Sequence, residues 1–142
     1  MNGTQAVVEL LGGARTVGAS VRTLADLDAA VRAGLPRTSL DRVVEAAAPA
    51  SERVWLRNRL VPRATYQRRC TLSPSHSATI ERIARVTALA NWVWEDEAHA
   101  QRFLWTPHPE LDGRRPIEAA LTELGAREVE EVLQRGLHGL PV

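Results

Sequence analysis

Between Arg59 and Arg69 the chain gathers the side chains that grip and read nucleic acid: Arg59, Arg63, Thr65, Tyr66, Gln67, Arg68 and Arg69. An Arg fork fits guanine, a Gln amide fits adenine, and Thr or Tyr hydroxyls reach phosphate. Arg57, Arg82 and Arg85 are close enough in sequence to add backbone contacts. A gathered positive surface gains affinity by releasing counterions from the phosphates. The same run also fits an ordinary solvated basic face, and spacing alone leaves both readings open. A second charged set lies near the C-terminus, where Glu123, Glu128, Glu130 and Glu131 surround Arg127. An acidic face of this kind can engage a basic pocket on a partner.

Residues for catalysis are not assembled in the same way. Cys70 is the one cysteine, so no internal disulfide can form, and no nucleophile motif surrounds it. His76, His99, His108 and His138 are scattered without metal-ligand spacing. Gly12-Gly13 lacks the spacing of a nucleotide-binding loop. Glu95-Asp96-Glu97 sits where a helix starts, and there acids favour the helix dipole. The expectation is a protein that is not an enzyme, with no catalytic residues, no cofactor and no metal site.

The elements that must carry these side chains read as helices throughout. Residues 1–21 show no helical period and contain Gly3, Gly12, Gly13 and Gly18, so a flexible arm with at most one short element is expected. Thr23 with Asp26 forms a capping-box signature, followed by Leu24, Leu27, Ala30 and Val31 on one face. Thr38 with Asp41 repeats the signature before Leu40, Val43, Val44 and Ala47, and Ser51 is placed to cap the next helix. Ser51–Arg59, a turn at Leu60–Pro62 and Arg63–Cys70 then have the layout of a helix-turn-helix. Ser73-Pro74 opens a long helix with Ile80, Ile83, Ala84, Thr87 and Ala90, reaching Trp94. A shorter one from Asp96 holds Ala100, Phe103 and Leu104.

Thr106 to Pro116 is loop, rich in Pro. Pro116 opens a helix carrying Ile117, Ala120, Leu121 and Leu124, which Gly125 is expected to break. Ala126–Arg135 continues, and Gly136 with Gly139 leaves a tail from Leu137 to Val142. For Ile117, Leu121, Val129 and Leu133 the expectation is core packing. Trp55, Trp92, Trp94 and Trp105 read as core or interface anchors. No stretch alternates with a two-residue period, so the fold class is all-α.

The 142 residues suffice for one compact domain or two small ones sharing a core. All 18 basic residues are Arg, and the formal net charge is +1. That charge is unevenly spread. Ser51 to Arg85 holds eight Arg against two Glu, whereas Glu95 to Glu131 holds ten acids against four Arg. Either these are two surfaces for two partners, or they attract each other within one fold. Ala6–Leu11 is interrupted by Glu9 and too short for a signal peptide or membrane span. The lone cysteine agrees with a reducing compartment, so a cytoplasmic protein without membrane contact is expected.

The stretches Ala100-Gln101-Arg102-Phe103-Leu104, Pro107 to Ile117 and Thr122-Glu123-Leu124-Gly125 through Leu133 resemble the Xre/MbcA/ParS toxin-binding domain. That family reads approximately A-x-x-W/F-L, then N-P-x-L-x-G-x-x-P, then T-x-x-G-x-x-x-V-x-x-x-L. The chain departs from it at Thr106-Pro107, where the loop usually begins with Asn. Upstream, Thr65, Arg68 and Arg69 supply the T-x-x-R-R element of the family's degenerate Xre-type helix-turn-helix. Pro62 and Arg63 stand where an Ile-Ser pair is common, and losing that Ser cap costs about 1 kcal/mol at the helix start. The resemblance covers about residues 35–142.

It implies an antitoxin of a two-gene module whose partner is a RES-domain toxin, which consumes the ADP-ribose part of NAD. The antitoxin's C-terminal region would cover the toxin's active site. It also implies a homodimer that represses its own operon by binding operator DNA. The expected organisation is an arm over 1–22, an Xre-like helix-turn-helix domain over 23–94 and a toxin-binding domain with a tail over 95–142. Toxin-facing residues would be Glu123, Arg127, Glu128, Glu131, Arg135, Leu137, His138, Leu140 and Val142. The apolar tail either inserts into the toxin's cleft or is a frayed terminus. A stand-alone helix-turn-helix regulator is the rival reading, and it would have no need of the C-terminal pattern.

Overall fold

The computed structural model describes residues 3–139, and among them the fold is all-α. Ten helices follow one another: α1 (Gly3–Leu10), α2 (Ala14–Val17), α3 (Leu24–Ala33), α4 (Arg37–Ala47), α5 (Arg53–Leu60), α6 (Arg63–Arg68), α7 (Pro74–Trp94), α8 (Glu97–Trp105), α9 (Pro116–Ala119) and α10 (Glu123–Leu137). No described residue belongs to a β-strand.

The spine is α7. Its 21 residues extend about 30 Å at the usual helical rise. Ser73 starts it, its Oγ accepting from the His76 amide at 3.1 Å, with Pro74 in the first turn. Ile80, Ile83, Ala84, Val86, Thr87 and Ala90 are all buried, so more than one face of the helix is covered. α1, α3 and α4 pack on it from the N-terminal side of the chain, α8 and α10 from the other. The two Ser side chains buried in this core are satisfied. Ser77 Oγ accepts from the Leu35 amide at 2.7 Å, and Ser39 Oγ donates to the Leu11 carbonyl at 2.7 Å.

Several boundaries differ from the sequence reading. Residues 3–21 were expected as a loose arm, but they form α1 and α2, with Val7, Val8 and Leu11 buried. Their apolar side chains cover α7 and α4, and that burial outweighs the local cost of the glycines. Thr23 caps α3 as expected, with its capping box to Asp26 complete. Thr38 does not cap α4, which begins one residue earlier. The reason is a short antiparallel bridge: the Arg37 amide donates to Cys70 O at 2.8 Å and the Leu72 amide to Leu35 O at 2.9 Å. Gly34 makes this approach possible, since its φ is +101° and a Cβ there would meet Leu72 O at 2.4 Å. Ser51 does not cap α5 either, because Ala50–Glu52 form a 3₁₀ turn after Pro49 and α5 starts at Arg53.

At the C-terminal end Gly125 does not break a helix. The break falls at Ala120–Leu121, and Thr122 starts α10, its Oγ1 accepting from the Gly125 amide at 3.0 Å. Gly125 sits one turn into α10, where the α9 backbone crosses so closely that a Cβ would lie 1.9 Å from Ala119 O. Nor does Gly136 end the helix. α10 runs on to Leu137, and Gly139, with φ +75°, follows it.

Candidate functional site

α5 and α6 stand at an angle fixed by the Val61-Pro62 break. Pro62 cannot continue α5 and is well suited to precede α6. α6 buries none of its six residues, so it depends on Tyr66 for its attachment. The Tyr66 hydroxyl donates to the Asp41 carboxylate, 3.0 and 3.1 Å from its two oxygens. Arg37 Nη1 donates to the Tyr66 carbonyl at 3.1 Å, and its guanidinium lies 5.1 Å from the ring centroid. Arg57 lies over the same ring at 5.7 Å and pairs with Asp41 at 3.5 Å. Burial, with the Asp41 carboxylate beside it, raises the Tyr66 hydroxyl pKa above the usual value. Tyr66 thus faces inward, and its hydroxyl is committed to Asp41 rather than turned outward with the basic residues.

The remaining members of the basic set are distributed unevenly. Arg63, Gln67, Arg68 and Arg69 are exposed, and Thr65 is half-buried. Arg63 and Gln67, four residues apart, share one outward face. Arg68 Nε donates back to Ala64 O at 3.2 Å. Arg59 is exposed, with its guanidinium resting on Trp55 at 5.1 Å. Arg82 and Arg85 are not part of this surface. Arg82 donates to Glu123 at 3.1 Å and to Leu121 O at 2.9 Å, while Arg85 meets Glu123 at 3.5 Å and Glu130 at 3.0 Å. Part of the charge split along the sequence is therefore an attraction between α7 and α10.

Those pairs define the second surface. Glu123, bridging Arg82 and Arg85, is held below the usual carboxylate range, chiefly by the hydrogen bond from Arg82. The loop from Thr106 to Arg115 is tied down on α10. Arg135 donates to Glu110 through two bonds of 2.7 and 2.5 Å, and Arg114 pairs with Glu128 at 3.1 Å. Leu111 is fully buried beneath it, and Asp112 and Gly113 turn the chain through left-handed conformations. Of the expected toxin-facing residues, Glu123, Glu128 and Arg135 are thus occupied by intramolecular pairs. Arg127 and Glu131 are exposed on the outer face of α10, with Arg127 4.0 Å from Glu123. Leu137 and His138 are exposed at its end, and Leu140 and Val142 lie outside the described residues.

Leu124 was placed in the apolar stripe, but it is 70% exposed on α10, facing away from buried Ala126, Val129 and Leu133. Starting the helix at Thr122 gives the phase that turns Leu124 outward. The four Trp split in the same way. Trp55 and Trp105 meet edge-on at 5.7 Å, with the Arg115 guanidinium 4.8 and 5.0 Å from their rings. Trp105 Nε1 also donates to Ala47 O at 2.8 Å, which fastens α8 to the end of α4. Trp92 is by contrast 64% exposed.

Residues 89–139, from the last turns of α7 through α8, the loop, α9 and α10, match the family model of the antitoxin Xre/MbcA/ParS C-terminal toxin-binding domain. Over these residues the chain is similar to that toxin-binding domain. No curated protein matches the chain. The matched residues include α10 and the loop clamped to it, but not Arg82 and Arg85 that pair with α10. The matched Arg115, Gln101 and Trp105 are also the groups that hold α8 and the loop against α4 and α5. No helix among the described residues is long and apolar enough to cross a membrane.

Proposed function

We propose that this chain is the antitoxin of a two-gene toxin–antitoxin module, neutralising a RES-domain toxin by covering the site where that toxin consumes NAD. The observation that carries this reading is the match of residues 89–139 to an antitoxin toxin-binding domain. The geometry gives it a physical basis. The outer face of α10 offers Leu124, Arg127 and Glu131 to solvent, on a helix held in place by the Arg135–Glu110 and Arg114–Glu128 pairs. A surface ordered before binding loses less entropy on association. An apolar side chain among charged ones supplies both desolvation and steering. The protein acts by occlusion and performs no reaction of its own. It works in the cytoplasm, as a homodimer.

Operator binding belongs to the same reading. Arg63, Gln67 and Arg68 are exposed on a short helix after a tight turn, with Arg69 exposed just beyond it, the layout that enters a major groove. Arg59 extends the positive surface toward α5. A three-site change of Arg63, Arg68 and Arg69 to Ala removes operator affinity while toxin binding persists. Unchanged operator affinity after that change would eliminate α6 as the reading helix.

Cellular NAD is the decisive measurement. Bacteria expressing the neighbouring gene product alone lose NAD, and co-expression of the full chain restores it. A double change of Leu124 and Glu131 to Ala abolishes the rescue. If the neighbour does not deplete NAD, the RES-toxin partner is wrong, and the rival regulator reading rests on α5 and α6.

A further inference from the structure

A groove of about 520 Å³ runs between α1, α3, α7 and α10, on surface that the function above does not use. Its walls are largely apolar, including Val7, Leu27, Ala88 and Leu89. Three apolar side chains at its rim stand in solvent: Leu24 is 72% exposed, Trp92 64% and Leu137 42%. Exposed apolar residues are ordinary when scattered, but here they converge on one concavity. The groove also has a polar end, made by Glu81, Arg85 and Glu130.

The charges there are unbalanced. Arg85 is shared between Glu130 at 3.0 Å and Glu123 at 3.5 Å. Glu81 has no hydrogen bond or ion pair among the described residues, although it is half-buried against apolar walls. That burial raises its carboxyl pKa above the usual value, despite the nearby Arg85. A half-desolvated carboxylate with no cation in direct contact is a poor arrangement for a monomer and a good receptor for a basic side chain. A second copy of this chain is a poor occupant. Across a two-fold contact it would bring only the same patch, whose one base, Arg85, is already paired with Glu130 and Glu123.

We propose that the groove is a second docking site for the toxin, taking from it a segment with one Arg or Lys flanked by apolar side chains. The basic group pairs with Glu81, and the apolar neighbours fill the space between Leu24, Trp92 and Leu137. This rests on the antitoxin reading. It enlarges the contact from the outer face of α10 to the adjoining flank of the same helix, where Glu130, Gln134 and Leu137 line the groove.

The test uses the full chain and the purified product of the neighbouring gene. Affinity is measured for wild type, Glu81→Gln, Trp92→Ala and an α10 outer-face variant, Leu124→Ala with Glu131→Ala. Thermal melts check that each variant is folded. Glu81→Gln weakens binding about thirtyfold or more, the usual loss when a buried charge pair is truncated from one side. Trp92→Ala weakens it at least about tenfold, as expected for an aromatic anchor. A photo-crosslinking residue at position 92 captures a toxin peptide with Arg or Lys among apolar residues. Wild-type affinity in both groove variants, with binding lost in the α10 variant, overturns the groove proposal and leaves the antitoxin reading standing. Crosslinks between two copies of this chain, with Trp92→Ala halving its mass in solution, overturn it in favour of a dimer contact. If wild type binds no toxin, the antitoxin reading fails and the groove proposal with it.

Discussion

Replacing Gly125 by Ala sets two effects of opposite sign against each other, and the structure decides between them. In an exposed helix the change is favourable by about 1 kcal/mol, because Gly carries more backbone entropy into the folded state. At this position the new methyl would lie 1.9 Å from Ala119 O and 2.8 Å from both Ala119 C and Thr122 Oγ1. Two of these are backbone atoms, and the third caps α10, so none can swing aside as a long side chain would. α9 and α10 must separate by more than an ångström, opening the contact that buries Ile117, Ala120 and Ala126. Overpacking of this kind costs about 1–3 kcal/mol, and losing the Thr122 cap adds about 1 kcal/mol. The net loss is about 1–3 kcal/mol, or roughly 3–10 °C in Tm for a chain of this size. Calorimetry on the purified chain reads it directly. An unchanged or higher Tm would refute the reasoning, because it would mean that α9 does not cross α10 at Gly125.

The other expectations concern charge and anchoring. Glu81→Gln stabilises the chain at neutral pH. The raised carboxyl pKa means that the Glu81 contribution is fully present below the unfolded-state value and is lost as pH rises through the folded one. The Tm advantage of Gln therefore shrinks as pH falls through the raised folded-state value and is gone below about 4.3, and an advantage that persists below that pH would contradict the assignment. Tyr66→Phe removes the hydrogen bond to Asp41 and loosens α6. It costs about 0.5–1.5 kcal/mol in denaturant unfolding and speeds amide exchange in residues 63–68. Trp105→Phe keeps the ring against Trp55 but leaves Ala47 O without its indole donor, which costs about 1–2 kcal/mol by the same measurement.

The helices that begin with an unambiguous local signal were legible in the sequence. Ser73-Pro74, Thr23 with Asp26, and Asp96 fix their starts through one or two hydrogen bonds of near neighbours, which residue types reveal. The misplaced boundaries all depend on contacts between distant segments. α4 starts where it does because Cys70 and Leu72 bind its entry, and Gly125 reads as a breaker unless the position of the α9 carbonyl is known. α1 is hidden for the same reason, since the surface that stabilises Val7 and Val8 belongs to a helix more than sixty residues later. In the candidate site, residue types pointed to the basic and acidic sets but not to which members were already paired. Arg82, Arg85, Glu123 and Tyr66 look like free groups in one dimension and prove to be struts. The groove around Glu81 left no signal, because its lining comes from four separate helices.

The spine helix has a consequence for how this protein can be divided. The family match begins at residue 89, two-thirds of the way along α7, yet α10 leans on the earlier turns of that helix through Arg82 and Arg85. A fragment cut at the boundary of the match would keep the outer face of α10 and lose the support beneath it. The expected unit of unfolding is therefore the whole bundle, with a single melting transition for both halves in calorimetry. In this architecture an opening at the N-terminal end, where α1 covers α7, would be felt at α10 through the same spine.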